Sequence, residues 1–275
     1  MGKYIDLHLH TAFSDGTRSP RELLEIVREA NLVAFSVADH DSLDGYRAAK
    51  KLLVDDDPEL ITGLELSVSG GGDMHILAYC INPDDDDLNR AIDKFQMNRN
   101  QRGGLMVEKL NGLGVAITIE EVKACADGAA IGRPHVARAL HRAGAVRTYE
   151  EAFEKYLGDN KPAYVPKQNF APSETIAMIH EAGGVAVLAH PNIDAAFNQL
   201  DRLVGMGLDG IEIYHPSCSQ RDTDWFKHLA EKYRLIVTGG SDFHGMEDRY
   251  GAVGSQRVPA ELLAALKQRV QQKRN

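Results

Sequence analysis

Six of the eleven histidines in this 275-residue chain share a local grammar. His8 and His10 alternate with Leu7 and Leu9 in IDLHLH. His40 sits in Asp39-His40-Asp41 after LVAFSVA, His75 in MHILAYCI, His190 before Pro191 after VAVLA, and His244 at the end of GSDFH. Each lies on or just past a short apolar run, beside Asp, Gly or Pro. Side chains two residues apart on a strand share a face, so His8 and His10 point the same way. Asp15, Glu65 and Asp242 are their carboxylate companions, Glu65 standing alone among apolar neighbours in LITGLELSV. Imidazoles and carboxylates without thiolates suit Mn, Fe or Zn in a hydrolytic site, not a closed structural zinc. Nine donors exceed the needs of one metal, so two or three divalent ions are expected. Those ions would outweigh three carboxylates and leave a positive centre in a chain of net charge -9. A phosphate ester fits such a centre better than a neutral substrate.

Other polar residues near these motifs read differently. Asp39 and Asp41 flank His40 and are expected to orient an imidazole through its other nitrogen. His215 ends GIEIYH much as the six end their strands, which makes it a candidate for the pocket wall. His141, His180 and His228 fall inside helical stretches and read as surface or helix-packing residues.

The donors need strands that end in one crevice. Residues 5–10 read as the first strand, running into the small polar loop 11–16 that carries Asp15. Ser19-Pro20 opens a helix with Leu23, Leu24, Ile26 and Val27 on its apolar face. Residues 32–38, 60–68 and 74–81 read as strands, with a helix over 43–54 and a Gly70-Gly71-Gly72 turn. The rhythm breaks at four consecutive acids, 84–87, a solvated helix start suited to the positive end of the helix dipole. From there to about residue 167 the periodicity is helical, with 90–113 as one helix or two, a capping box at Thr118 and Glu121, and a helix over 133–142. Alternation then resumes. Helices over 173–183, capped by Ser173, and over 194–205, 219–233 and 259–271 interleave with strands over 185–189, 210–214 and 235–238. Strands alternating with helices imply parallel βαβ units, and chemistry at the strands' carboxyl ends.

Composition bounds the class. The chain has the length of one large domain, or of a domain with an insertion. Cys80, Cys125 and Cys218 form no CxxC pair, which argues against a disulfide scaffold and for a reducing cytoplasm. No apolar run reaches the roughly 18 residues of a membrane span, and MGKYIDLHLH has no signal-peptide pattern. The net charge offers no basic footprint for nucleic acid, and no aromatic platform is evident.

With these residues in hand, the chain resembles the PHP (polymerase and histidinol phosphatase) family. The resemblance rests on HxH at His8 and His10, DHD at 39–41, Glu65, His75, His190-Pro191 and GSDFH, and covers most of the chain outside residues 85–165. It implies an α/β fold, a distorted (β/α)7 TIM-like barrel, formed by residues 1–84 and 166–275, with residues 85–165 as an inserted helical subdomain. It also implies a trinuclear centre. One ion would take His8, His10, Glu65 and Asp242. A second would take Glu65, His75 and His190, with Glu65 bridging. A third would take Asp15, His40 and His244; some members have histidine at the position of Asp15. GRPH, with Arg133 and His135, and KPAYV, with Lys161, are similar to the 3′,5′-nucleotide bisphosphate phosphatases, whose relatives include a 5′→3′ exoribonuclease. That similarity implies a nucleoside 3′,5′-bisphosphate substrate, or short 5′-phosphorylated oligonucleotides, and a Mn²⁺-dependent reaction, with Fe²⁺ or Zn²⁺ as alternatives. Arg133 at a helix start suits a phosphate, and Lys161, Lys167 and Arg18 are further candidate clamps. The competing expectations are a histidinol-phosphate-type phosphatase and a non-catalytic metal-binding or polymerase-associated module. Oligomeric state is not legible.

Overall fold

The computed structural model describes residues 4–70, 74–191, 193–245 and 251–274; Gly71 and Gly72 of the expected turn lie outside them. Seven strands form most of one curved sheet: β1 (Tyr4–Leu9), β2 (Ala34–Val37), β3 (Glu59–Ser67), β4 (His75–Tyr79), β5 (Val185–Leu188), β6 (Gly210–Tyr214) and β7 (Ile236–Gly239). Each lies beside its neighbour in chain order, and a two-residue β8 (Val258–Pro259) adds to the outer edge of β1. Just past β7, Phe243 bridges Leu9 in parallel and its carbonyl accepts the His10 N–H at 2.9 Å, closing the sheet at one mouth. The closure is tight, because a Cβ at Gly240 would stand 2.5 Å from the His8 nitrogen. The result is a distorted β/α barrel. Among the described residues no helix is long and apolar enough to cross a membrane.

Of the seven longer strands one departs from the all-parallel expectation, and the short β8 also pairs antiparallel, with β1. β4 runs antiparallel to both β3 and β5. Only seven residues separate the end of β3 at Ser67 from the start of β4 at His75, and a parallel return needs a crossover of a dozen residues or more. The reversal has a consequence for the site. His75 opens β4 opposite Ser67 at the end of β3, so the start of this one strand reaches the same mouth as the ends of the others.

The chain therefore leaves β4 at the opposite, lower end. Two helices, α1 (Pro20–Glu29) and α2 (Asp44–Lys50), join the first three strands, and a single helix, α3 (Asp86–Gly112), carries the chain back. At 1.5 Å per residue its 27 residues span about 40 Å, enough to climb the barrel wall and project beyond the mouth. Asp85 caps its start by accepting from the Leu88 N–H at 2.8 Å. The helix continues through Gly103, where a Cβ would lie 2.4 Å from Ile131 Cγ2, so the glycine permits close packing there. Above the mouth follow α4 (Ile119–Ala126), α5 (Arg133–Arg142), α6 (Tyr149–Ala152) and a π-helical turn, Phe153–Leu157. Met106, Leu110, Val122, Val136, Leu140 and Leu157 belong to an apolar core built from this segment. Barrel side chains such as Leu64, Ile76 and Ile211 belong to another.

Proline accounts for two of the helix starts that differ from expectation. The helix expected to be capped by Ser173 begins one residue earlier, at Pro172, and the Glu174 carboxylate accepts the Ala171 N–H at 2.8 Å. Proline tolerates the first helical position because no N–H is needed there. Pro259 belongs to β8, and the last helix begins at Glu261.

At the lower end Asp209 is buried directly before β6. It accepts from the Ala186 N–H at 3.0 Å, lies 2.8 Å from His180 Nε2, and pairs with Lys273 at 3.0 Å. Burial pushes its carboxyl up, but His180, the Ala186 N–H and Lys273 outweigh it and hold the pKa below the ordinary 3.8. A carboxyl depressed in the fold stabilises above its unfolded pKa and loses that contribution as pH falls through the folded value. Asp209→Asn is expected to cost about 2 kcal/mol at pH 7. The deficit should shrink in denaturant melts below about pH 3.8; a constant deficit across pH would refute the ionic contribution.

Candidate metal centre

Strand ends bring all nine predicted donors to the mouth. His8 and His10 ride the end of β1, His40 follows β2, Glu65 lies on β3 and His75 opens β4. His190 follows β5, and Asp242 and His244 follow β7. His190 (φ 25°) and Asp242 (φ 51°) hold left-handed backbone conformations unusual for residues with a Cβ. Such strain collects at functional sites, where the surroundings enforce it.

Glu65 is the hub. Its Oε1 lies 2.9 Å from His190 Nε2 and 3.1 Å from His75 Nδ1. Its Oε2 lies 3.2 Å from His8 Nε2, 3.3 Å from His10 Nε2 and 3.1 Å from His40 Nδ1. Asp242 Oδ1 approaches His10 Nε2 at 3.1 Å and His8 Nε2 at 3.4 Å, while its Oδ2 lies 3.3 Å from His215 Nε2. Asp15 lies 3.1 Å from His244 Nε2 and 3.7 Å from His40 Nε2. His40 thus turns one ring nitrogen toward Glu65 and the other toward Asp15. Three overlapping groups could each hold an ion: His8, His10 and Glu65; His40, Glu65 and His75; and His10, Asp15, His40 and His244.

The electrostatics match a cation site. Burial alone would raise the Glu65 and Asp242 carboxyls, yet surrounding imidazoles hold both well below the carboxylate range. Burial lowers His10 and His190, but Asp242 and Glu65 beside His10 lift it to about 10, and Glu65 beside His190 lifts it to about 9. Whether the residues fit metal ions turns on orphaned atoms. His10 Nε2, His40 Nδ1 and His215 Nε2 are buried without a hydrogen bond, though carboxylate oxygens lie 3.1–3.3 Å away. Buried ring nitrogens facing carboxylates in this way are what divalent ions satisfy. The donors fit.

Supporting residues hold the donors. Asp39 accepts from the Thr11 N–H at 2.7 Å, the Thr11 hydroxyl at 2.6 Å and the Ser14 hydroxyl at 2.5 Å. Ser14 Oγ is 3.4 Å from His10 Nδ1, so Asp39 acts on that imidazole through Ser14. Asp41 instead accepts from the Ser67 N–H and from Arg99 on α3, both at 2.9 Å. Both acids were expected to meet an imidazole directly; a loop and an arginine take those positions. Arg138 on α5 donates to the Asp15 carbonyl. Two arginines from the segment above the mouth therefore brace the donor loops.

Glu212, missed in the sequence, is fully buried behind the centre. Its Oε1 lies 3.0 Å from His8 Nδ1, and its Oε2 accepts the His190 N–H at 2.8 Å. The available signal was the one that flagged Glu65, a lone acid inside an apolar strand, here GIEIY.

A pocket of about 410 Å³ opens above the donors. Of the predicted substrate contacts, Arg133, Lys167 and His215 line it, Lys167 Nζ lying 2.9 Å from His75 Nε2. His135 does not line it. It is buried in the first turn of α5, where Nδ1 accepts the Gly132 N–H at 2.9 Å and burial lowers its pKa to about 4, so it caps the helix as a neutral ring. Lys161 is exposed and Arg18 half-buried, and both lie outside the lining. Arg99, Arg102, Tyr149 and Phe153 line the pocket without having been foreseen. An arginine in the middle of a 27-residue helix carries no local signal, and the two aromatics meet the pocket only because α6 folds over it.

A β/α barrel with a cluster of histidines and carboxylates at its mouth defines the class: a metal-dependent hydrolase. The PHP domain model matches residues 6–158, and the chain belongs to the PHP family. It is 32% identical over 247 residues to the 3′,5′-nucleoside bisphosphate phosphatase of Chromobacterium violaceum, covering 87% of each chain. It is 31% identical to the 5′-3′ exoribonuclease Rnm of Escherichia coli, covering 87% of this chain and 84% of that one. Its fold superposes, with a TM-score of 0.87 and 30% identity, on a Bifidobacterium adolescentis protein described as a “putative metal-dependent phosphoesterase”, covering 98% of this chain and 97% of the other.

Proposed function

We propose that this protein is a divalent-metal-dependent phosphatase that removes the 3′-phosphate of nucleoside 3′,5′-bisphosphates, yielding a 5′-nucleotide and phosphate. Short 5′-phosphorylated oligonucleotides are trimmed stepwise at the same site. One observation carries this reading: a single pocket has a floor of imidazoles and carboxylates and a wall bearing Arg99, Arg102 and Arg133. A substrate with one phosphate to cleave and a second to hold uses both. Histidinol phosphate would leave the cationic wall idle. The names of the phosphatase and exoribonuclease relatives support the same substrate class.

In this reading residues 1–84 and 166–275 form the reactive barrel, and residues 85–165 form a cap that supplies specificity. His8, His10, Glu65 and Asp242 would hold one ion, Glu65, His75 and His190 a second, and Asp15, His40 and His244 a third. Mn²⁺ is the assigned metal, the same donors also suiting Fe²⁺ or Zn²⁺. Bound ions supply hydroxide at neutral pH and offset phosphoryl charge. The chain's own residues do the rest. Glu212 fixes His8 and the backbone of His190, and the cationic wall holds the 5′-phosphate. Arg133 now pairs at 3.1 Å with Asp159, whose side chain is about half exposed, so a dianionic phosphate competes for it on favourable terms. Cys80, Cys125 and Cys218 are joined in no disulfide, which is consistent with a cytoplasmic setting.

Loaded with Mn²⁺, the protein should hydrolyse adenosine 3′,5′-bisphosphate with a kcat/KM at least about tenfold above histidinol phosphate, the minimum expected from one charged contact. A flat profile across phosphate esters would overturn the assignment. Arg133→Ala should raise KM for the bisphosphate about tenfold while p-nitrophenyl phosphate suffers much less. Equal losses on both would remove Arg133 from the 5′-phosphate site.

A further inference from the structure

We propose that Tyr149 and Phe153 form a nucleobase platform, a third wall of the pocket that binds the base by stacking and without a base-specific code. The inference rests on the bisphosphate reading and extends it to the part of the substrate that neither the metal donors nor the cationic wall explains. A nucleoside bisphosphate projects three groups from its ribose: two phosphates and a flat apolar base. The pocket has metal donors on its floor and guanidinium groups on one side, and Tyr149 and Phe153 bring the aromatic surface to it.

The two rings are built for this. Their centroids are 5.2 Å apart with planes tilted by 43°, which makes a shallow corner and not a closed stack. Each ring is half-buried, while Ala152 and Leu157 beside them are fully buried in the core of the segment above the mouth. The platform is thus anchored from behind. Phe153 begins the π-helical turn, its carbonyl accepting the Gly158 N–H five residues on at 2.9 Å; such turns recur at functional sites. The Arg133 guanidinium lies 5.9 Å from the centre of the Phe153 ring. A base on that ring would sit next to the cation proposed to hold the 5′-phosphate, and the base and the 5′-phosphate are neighbours on the same ribose.

The chemistry of this wall also predicts what it does not do. It contributes Arg133, Pro134, Tyr149 and Phe153 to the pocket. None is an Asn or Gln placed to read a base edge with paired hydrogen bonds. Every base has a π face, so stacking tolerates all four and favours the larger purines.

The test is a ratio. kcat/KM for adenosine 3′,5′-bisphosphate is divided by that for the base-free 1-deoxyribose 3,5-bisphosphate. Stacking on one or two rings should make the wild-type ratio about fivefold to a hundredfold. Phe153→Leu keeps the apolar volume and removes the π face, and should lower the ratio at least fivefold; Phe153→Trp should restore it. Thermal melts verify that each variant is folded. A wild-type ratio near one, or an unchanged ratio in Phe153→Leu, overturns the platform. Should the wild type cleave neither compound, the bisphosphate reading fails separately. Calorimetric titration with adenosine 5′-monophosphate then decides the platform, and equal affinity in wild type and Phe153→Leu overturns it.

Discussion

Glu65→Gln is expected to abolish turnover while the protein stays folded, the largest loss among the substitutions considered. Five imidazole nitrogens lie within 3.3 Å of the two Glu65 oxygens, so this one carboxylate joins every donor strand from β1 to β5. An amide is nearly isosteric, but it removes the negative charge and turns one face into a donor. An amide nitrogen has no lone pair to give a metal, so one of the two ions that would share Glu65 loses its ligand. The loss in activity should exceed the roughly 10- to 100-fold typical of residues that only support ligands. Metal content by elemental analysis should fall with it. Circular dichroism should remain that of the wild type, because the apolar cores on either side of the sheet do not involve Glu65. Full activity with unchanged metal content would end the bridging assignment.

Glu212→Gln should give the second largest effect, from a residue that faces the centre only through others. A carboxylate accepts and never donates, so Glu212 Oε1 obliges His8 Nδ1 to keep its proton and leaves the Nε2 lone pair available to the ion proposed for it. Its second oxygen takes the His190 N–H, fixing the strained backbone of a donor proposed for the neighbouring ion. Glutamine has one oxygen for two donors. Its amide nitrogen must face either His8 or the His190 N–H, and one of them is left unpaired in a fully buried site. Metal affinity by calorimetry and kcat should each fall about 10- to 100-fold. Nitrogen chemical shifts of His8 add a readout that loose packing would not move, since loss of the carboxylate frees the ring to change tautomer. Wild-type affinity together with an unaltered His8 signature would reduce Glu212 to a filler.

Much of this was legible in the chain. The alternation of His8 and His10, the lone Glu65 among apolar residues, and histidines set just past apolar runs are local patterns. Local patterns survive in sequence because strand periodicity and strand ends are local properties. The helical stretch between β4 and β5 was visible for the same reason. Capping was read correctly at Thr118 and Glu121, whose reciprocal hydrogen bonds form. It was misplaced at Ser173, where Pro172 takes the first helical position and Glu174 reaches back to Ala171.

Other features belong to the tertiary structure alone. The direction of β4 follows from how short its link to β3 is, and only that reversal brings His75 to the mouth. His135 shares its motif with Arg133, yet one caps a helix under the surface and the other faces the pocket, because helix residues two apart point in different directions. Lys161 and Lys167 are both basic and near in sequence, and only Lys167 meets a donor. Arg99 lies 58 positions from Asp41 and is 2.9 Å from it in space. Sequence by itself determined which residue types are available for metal chemistry and which strands would present them, since both are written in neighbours. Which cations and aromatic rings line the pocket was decided by how a 27-residue helix carries its segment back over the barrel mouth, because that packing joins side chains with no periodic relation along the chain.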